Sequence, residues 1–312
     1  MSEWEPAYLK LLKSGELAQR IKTAYQYMSD CNLCGWACHV DRHTHSGVCK
    51  TGTEAVVASY GPHHGEEDPL RGSKGSGTIF FAWCNLHCQF CQNYDISQMG
   101  QGRAASPQQL AMMMLELQER GCHNINLVSP SHVVAPILAA TLIAAQLGLR
   151  LPLVYNTGGY DAPTALSLLD GVIDIYMPDI KYADPEIAQK YSKIPNYPAV
   201  NQTAVKEMHR QVGDLVLDKN GVAQRGLLVR HLVMPNGLAG TVEIAKFLAQ
   251  DISTNTYVNV MAQYRPCYNA KDYPELNRPP TQQELAQAHR AIQEAGLTRL
   301  DQRRPTYWFL SP

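Results

Sequence analysis

The chain has 312 residues, 45% of them hydrophobic and 18% charged, with a formal net charge of −1. That composition can bury one large α/β domain or two smaller ones and excludes global disorder. A near-neutral balance gives no electrostatic reason to expect nucleic acid as a partner, and the basic cluster Arg299, Arg303 and Arg304 is read as a solvated helix end. No apolar run reaches the roughly 18–20 residues of a membrane span. The N-terminal segment is polar and lacks the apolar stretch of a secretory signal. A cytoplasmic protein with no membrane partner is therefore expected.

Two short helices open the chain. Ser14 is placed to cap the second, which carries Leu17, Ile21, Tyr25 and Met28 on one stripe. A block rich in Cys, His and Gly follows, with neither helical nor strand period. The stretch Tyr60–Ser76 is dense in Gly and Pro and is expected to be irregular. From Gly77 onward, strand-like runs alternate with helical ones. The runs are Thr78–Ala82, Asn124–Val128, Pro152–Tyr155, Val172–Met177, Leu227–Val233 and Tyr257–Met261. Helices are predicted at Val133–Leu147, Pro163–Leu169, Pro185–Lys193, Pro198–Val212 and Thr241–Leu248. Ser106-Pro107-Gln108-Gln109 and Thr281-Gln282-Gln283-Glu284 are capping signatures for two more. Six strands alternating with helices predict an α/β fold with parallel pairing, too short for an eight-unit barrel and so a partial, open one. The glycine loop before Gly77 divides an N-terminal Cys-rich extension, residues 1–76, from the partial barrel, residues 77–312.

Seven of the nine cysteines are clustered. Secreted domains space cysteines to close loops, whereas tight clusters point to metal. Cys84, Cys88 and Cys91 form C-x3-C-x2-C directly after the first of these strands, at the end where parallel α/β folds place active sites. Three thiolates on a cubane [4Fe–4S] cluster leave one iron without a protein ligand. That iron is able to chelate S-adenosylmethionine (SAM), and an electron from the cluster then cleaves the sulfonium to give a 5′-deoxyadenosyl radical that abstracts hydrogen. The alternative is a structural zinc with His87 as fourth ligand. Phe90 packs either on the adenine or in the core. Upstream, Cys31, Cys34, Cys38 and Cys49 supply four thiolates within nineteen residues, enough to close either a zinc site or a complete cubane. Cys122 and Cys267 are expected to be ordinary thiols.

The segment GTIFFAWCNLHCQFCQNYDIS resembles the radical SAM superfamily, in its pyruvate formate-lyase activating enzyme-like branch. The resemblance continues through NLVSPSHVV, YNTGGYD, DIYMPDIKY and RHLVMP. It implies a partial (β/α)6 barrel, a [4Fe–4S] cluster and SAM. It also implies an electron donor of the flavodoxin or ferredoxin type and a glycyl radical protein as substrate. By the same resemblance, Lys181 pairs with the SAM carboxylate, the alternative being a solvated ion pair with Asp179. Asn156, Thr157, Met177 and Asp179 sit where relatives bind a monovalent cation. Ser129, or a backbone carbonyl beside it, replaces a Gly-Gly-Glu that contacts the SAM amino group, while Ser131 is the alternative for that loop as a helix cap. His231 is a candidate for the ribose, the alternative being a satisfied core histidine in an apolar strand. Two other functions stay open: a relative acting on a small molecule or peptide, and a zinc-binding adaptor without catalysis.

Overall fold

The computed structural model describes residues 4–301, so Arg303 and Arg304 lie outside the described residues. Helices α1 (Tyr8–Ser14) and α2 (Glu16–Tyr27) meet at a one-residue corner. The corner, not Ser14, caps α2: Gly15 closes α1 and opens α2 at φ 76°, a left-handed conformation that glycine takes at little cost. The Cys block follows with neither helix nor strand, only turns and a single bridge between Cys34 and Asp161.

Strand β1 (Ala55–His63) then runs antiparallel to β2 (Ser76–Phe81), with the short helix α3 (Asp68–Arg71) between them. The expected irregular stretch from Tyr60 is therefore partly strand. Pro62 is tolerated because β1 pairs only with β2 at that point; its other neighbour, β3 (Arg103–Ala105), reaches only residues 55–57. The short helix α4 (Tyr94–Ser97) precedes β3, and α5 (Pro107–Glu119) follows it. In α5 the Ser106 Oγ accepts from the Gln109 N–H at 3.2 Å, and Gln109 Oε1 accepts from the Ser106 N–H at 2.9 Å, the reciprocal cap expected from the motif.

The barrel continues with β4 (Ile125–Val128), α6 (Val134–Gln146), β5 (Leu153–Thr157), α7 (Pro163–Leu169) and β6 (Ile175–Pro178). Helices α8 (Pro185–Ser192) and α9 (Tyr197–Val212) and the two-residue β7 (Val216–Leu217) lead to β8 (Ala223–Leu232), α10 (Thr241–Phe247), β9 (Tyr257–Met261) and α11 (Gln282–Glu294). Strands β2, β4, β5, β6, β8 and β9 are parallel and adjacent in chain order. These are the six strands expected from the alternation, and the sheet is not closed. Because every step moves the same way, right-handed crossovers put the helices on one face. That face holds the main core, in which Tyr8, Leu17 and Met28 pack with Ile125, Leu127 and Ile137. The opposite face, with Val154, Ile175, Met177 and Leu228, is the lumen side. Among the described residues no helix is long and apolar enough to cross a membrane.

Candidate active site

The C-x3-C-x2-C loop leaves β2 at its carboxyl end through Trp83, whose φ of 64° is left-handed and uncommon for a bulky residue. All three thiols are unpaired. Each sulfur has a donor group beside it: the Leu86 N–H at 3.4 Å from Cys84, the Ser192 hydroxyl at 3.1 Å from Cys88 and the Ser97 hydroxyl at 3.1 Å from Cys91. Burial pushes the Cys84 thiol up to about 12 and the Cys88 thiol up to about 11, neighbouring thiols add to both, and Lys181 pulls both back. Three thiolates gathered here would repel one another unless a positive centre sat among them. Soft donors, preset hydrogen bonds to sulfur and uncompensated thiolate charge together fit an iron–sulfur cluster. His87 Nδ1 donates to Gln98 Oε1 at 3.2 Å, so only its Nε2 could face a metal. Phe90 is in the core, 5.7 Å from the Tyr264 ring.

The ends of β5, β6 and β8 bring the other predicted residues together. Lys181 Nζ donates to Asp179 Oδ2 at 2.5 Å, so the two share a face as strand alternation requires. Arg230, which the motif reading passed over in favour of its neighbour, donates from Nε to Asp179 Oδ1 at 2.8 Å and from Nη2 to Asn156 Oδ1 at 2.6 Å. Burial pushes the Asp179 carboxyl up, but Arg230 and Lys181 outweigh it and hold it below the usual range. Asn156 and Asp179 thus both accept from a cation belonging to the chain, at positions where the resemblance puts a monovalent ion. Thr157 turns away from it, donating to Asp161 Oδ2 at 2.6 Å, and Met177 is buried in the lumen-side core. The Lys181 backbone is fixed as well: its N–H donates to Tyr197 Oη at 3.1 Å, and that hydroxyl donates to the Gly158 carbonyl at 2.9 Å. Gly159, at φ 76°, lets this loop approach; a Cβ there would collide with the Asn201 amide and the Asp179 carbonyl.

Ser129 stands at the end of β4 with φ 58°, its N–H donating to the Asn156 carbonyl at 2.9 Å. Ser131 does not cap α6. Val133 occupies the cap, and Ser131 Oγ is hydrogen-bonded to Thr157 Oγ1 at 3.0 Å. His231 is fully buried, with Nδ1 donating to the Ile180 carbonyl at 2.8 Å and Nε2 accepting from the Thr241 hydroxyl at 2.9 Å. Neither ring nitrogen is left for a ribose.

The lumen side also carries buried polar groups beside its apolar cluster. Asn126 is paired in register with Val154 and lies on the opposite face from Ile125 and Leu127, yet neither of its amide atoms has a hydrogen-bond partner. Asn259 Nδ2 donates to Glu67 Oε1 at 2.7 Å, while Glu67 Oε2 has no partner.

The N-terminal thiols also converge. Cys31, Cys34, Cys38 and Cys49 line one small cavity together with Arg42 and His132. His132 is a residue the sequence reading missed; only its place two residues after a strand-end Pro130 marks it.

The radical SAM superfamily model matches residues 78–218. An uncharacterized protein of Methanocaldococcus jannaschii is 32% identical over 288 residues, covering 90% of this chain and 79% of that protein. Streptococcus suis SuiB bound to S-adenosylmethionine aligns at 10% identity and TM-score 0.45 over 68% of this chain and 45% of that one. HydG, a maturase of the [FeFe]-hydrogenase, aligns at 11% identity and TM-score 0.45 over 70% of this chain and 48% of that one. The chain spans less than half the length of those two solved structures.

Proposed function

Because the chain belongs to the radical SAM superfamily, we propose that it cleaves SAM reductively and abstracts a hydrogen atom from a substrate, with Cys84, Cys88 and Cys91 holding the cluster. The observation that carries this reading is the set of three unpaired thiols, each with a donor group beside its sulfur, at the carboxyl end of β2. When bound, a [4Fe–4S] cluster supplies the electron and an open iron, and SAM supplies the radical. The chain's own residues position and shield. Lys181, whose charge acts on the Cys84 and Cys88 thiols, and Arg230 share the single carboxylate of Asp179, which leaves a net cation for the SAM carboxylate. Ser129 offers its carbonyl and hydroxyl on a strained turn facing the neighbouring strand end.

A glycyl radical protein is the substrate that the sequence resemblance suggests, with a flavodoxin or ferredoxin as electron donor. A second reading, a small polar molecule or peptide, is favoured by the lumen. Asn126 and Glu67 keep buried, unpartnered polar atoms there, which a substrate with its own donors and acceptors would satisfy. Anaerobically reconstituted protein should form 5′-deoxyadenosine from SAM on reduction, and Cys84→Ala, Cys88→Ala or Cys91→Ala should each reduce this to background. Full cleavage by any of the three variants would overturn the assignment. Asn126→Leu separates the substrate classes: it should raise the KM for a lumen-bound small molecule and leave a docked protein's glycine unaffected.

A further inference from the structure

The four N-terminal thiols sit outside the chemistry just described, and three features of their cavity call for an anionic, ligand-accepting centre. The first is Arg42. It is 2% exposed, its Nε donates to the Thr51 carbonyl at 3.1 Å, and its Nη1 is 4.0 Å from Cys31 Sγ. Its Nη2 donates to the Gly52 carbonyl, and among the described residues no carboxylate pairs with it, so the charge of a buried guanidinium is met by two backbone carbonyls and the thiols. The second is His132, 1% exposed. Its Nε2 donates to the Ala82 carbonyl at 3.0 Å, which fixes Nδ1 as the unprotonated nitrogen, and Nδ1 has no partner. An imidazole whose other N–H is tied to a backbone carbonyl is how metal-facing histidines are oriented. The third is donor number and closeness. Four thiols and one imidazole nitrogen exceed what a tetrahedral ion takes. The thiols are neighbours: a Cβ on Gly47 would lie 3.0 Å from Cys38 Sγ and 3.7 Å from Cys49 Sγ.

Two routes join this cavity to the active-site loop. His132 bonds the Ala82 carbonyl, two residues before Cys84. Trp36, two residues after Cys34, donates its indole N–H to the Asn85 carbonyl at 2.6 Å, one residue after Cys84. We propose that Cys31, Cys34, Cys38 and Cys49 hold a second iron–sulfur cluster, with Arg42 and His132 in its wall, and that it relays one electron to the cluster at Cys84, Cys88 and Cys91. The electron enters from an external flavin or iron–sulfur protein. The second cluster is oxidised by one electron as the first is reduced by one, and no bond forms or breaks. The relay rests on the function proposed above; the existence of the second cluster does not.

The test uses the full chain. In the Cys84→Ala, Cys88→Ala, Cys91→Ala triple variant, reconstituted anaerobically, iron and acid-labile sulfide should fall to about half of wild type, and the reduced protein should keep a paramagnetic cluster signal. Zinc without sulfide, or no metal, would overturn the second cluster. In the Cys34→Ser, Cys49→Ser double variant, SAM cleavage driven by dithionite should stay near wild type. Cleavage driven by reduced flavodoxin should drop about tenfold or more. Equal loss, or no loss, with both reductants would refute the relay. Should that variant fail to fold, Trp36→Phe keeps an aromatic ring and removes the N–H bond, and should slow only the flavodoxin-driven rate at unchanged iron content; an unchanged rate would refute the relay equally. Wild-type protein that holds both clusters but never cleaves SAM would instead sink the proposed function and leave the second cluster standing.

Discussion

Asp179 accepts from Arg230 at 2.8 Å and from Lys181 at 2.5 Å, and all three side chains are less than one-fifth exposed. A single carboxylate between two cations is asymmetric: removing either cation leaves the other to neutralise it, whereas removing the carboxylate leaves two like charges buried side by side. Lys181→Met should therefore leave the fold and cluster content intact and weaken SAM binding about tenfold or more, the loss of one charge-assisted contact. Equilibrium binding alongside iron analysis checks this, and unaltered affinity would show that Lys181 only neutralises Asp179. Asp179→Ala should destabilise the protein by about 3–5 kcal/mol in urea unfolding, because it breaks a buried charge cluster. At this scale the sequence was a partial guide. Lys181 and Asp179 are two residues apart on a strand end, so alternation alone put them on one face. Arg230 reaches them from a strand 51 residues away, and nothing local distinguishes it from a solvated arginine. His231 was singled out for its chemistry, but its neighbours Ile180 and Thr241 use both nitrogens.

Elements were more legible than the bonds between them. Six strands and the capped helices carry their own periodicity and caps, so β2, β4, β5, β6, β8 and β9 stand where the hydrophobic runs predict. The hairpin partner β1 was obscured because Gly61 and Pro62 look like loop chemistry until one sees that this end of the strand is paired on one side only. Docking of α1 was invisible for a different reason. It rests on Asp174, whose Oδ1 accepts from the Ala7 N–H at 2.8 Å, 167 residues away, while Oδ2 accepts from the Leu153 N–H at 3.0 Å. Asp174 is 2% exposed, and burial raises its carboxyl to about 7, against the pull of those two N–H groups. A folded-state value above the unfolded one means the native state holds the proton more tightly. That stability is fully present below about pH 4 and is lost as pH rises through the folded value near 7. Thermal melts between about pH 5 and pH 8 should show wild type losing stability relative to Asp174→Asn as pH rises. A pH-independent difference would mean that Asp174 titrates as an ordinary carboxylate.

Over the whole molecule, the segment before Gly77 shares structure with the barrel at several levels. Strand β1 belongs to the same sheet as β2. Tyr8, Leu17, Ala24 and Met28 are fully buried in the core that also contains Ile137, Leu138 and Ala144 of α6. Helix α6 is apolar all round, which is tolerable only because α5 and α2 both cover it. Tyr8 Oη also donates to the Leu151 carbonyl at 2.9 Å, and the Gly35 N–H donates to the Tyr160 carbonyl at 3.1 Å, so the Cys block is stitched to the loop after β5. A metal-bearing extension that folded by itself would leave the two thiol groups free to move relative to one another. Shared packing holds them in one frame, as the electron passage proposed between them requires. Leu17→Ala tests the sharing. It should destabilise the chain by about 2–5 kcal/mol through the cavity it leaves. The effect should lower one cooperative transition seen alike by near-ultraviolet circular dichroism and by release of iron from the Cys84, Cys88, Cys91 loop. If the mutation instead melted the first fifty or so residues early, while that loop kept its iron to the wild-type temperature, the extension would be an independent unit and the rigid frame would not exist.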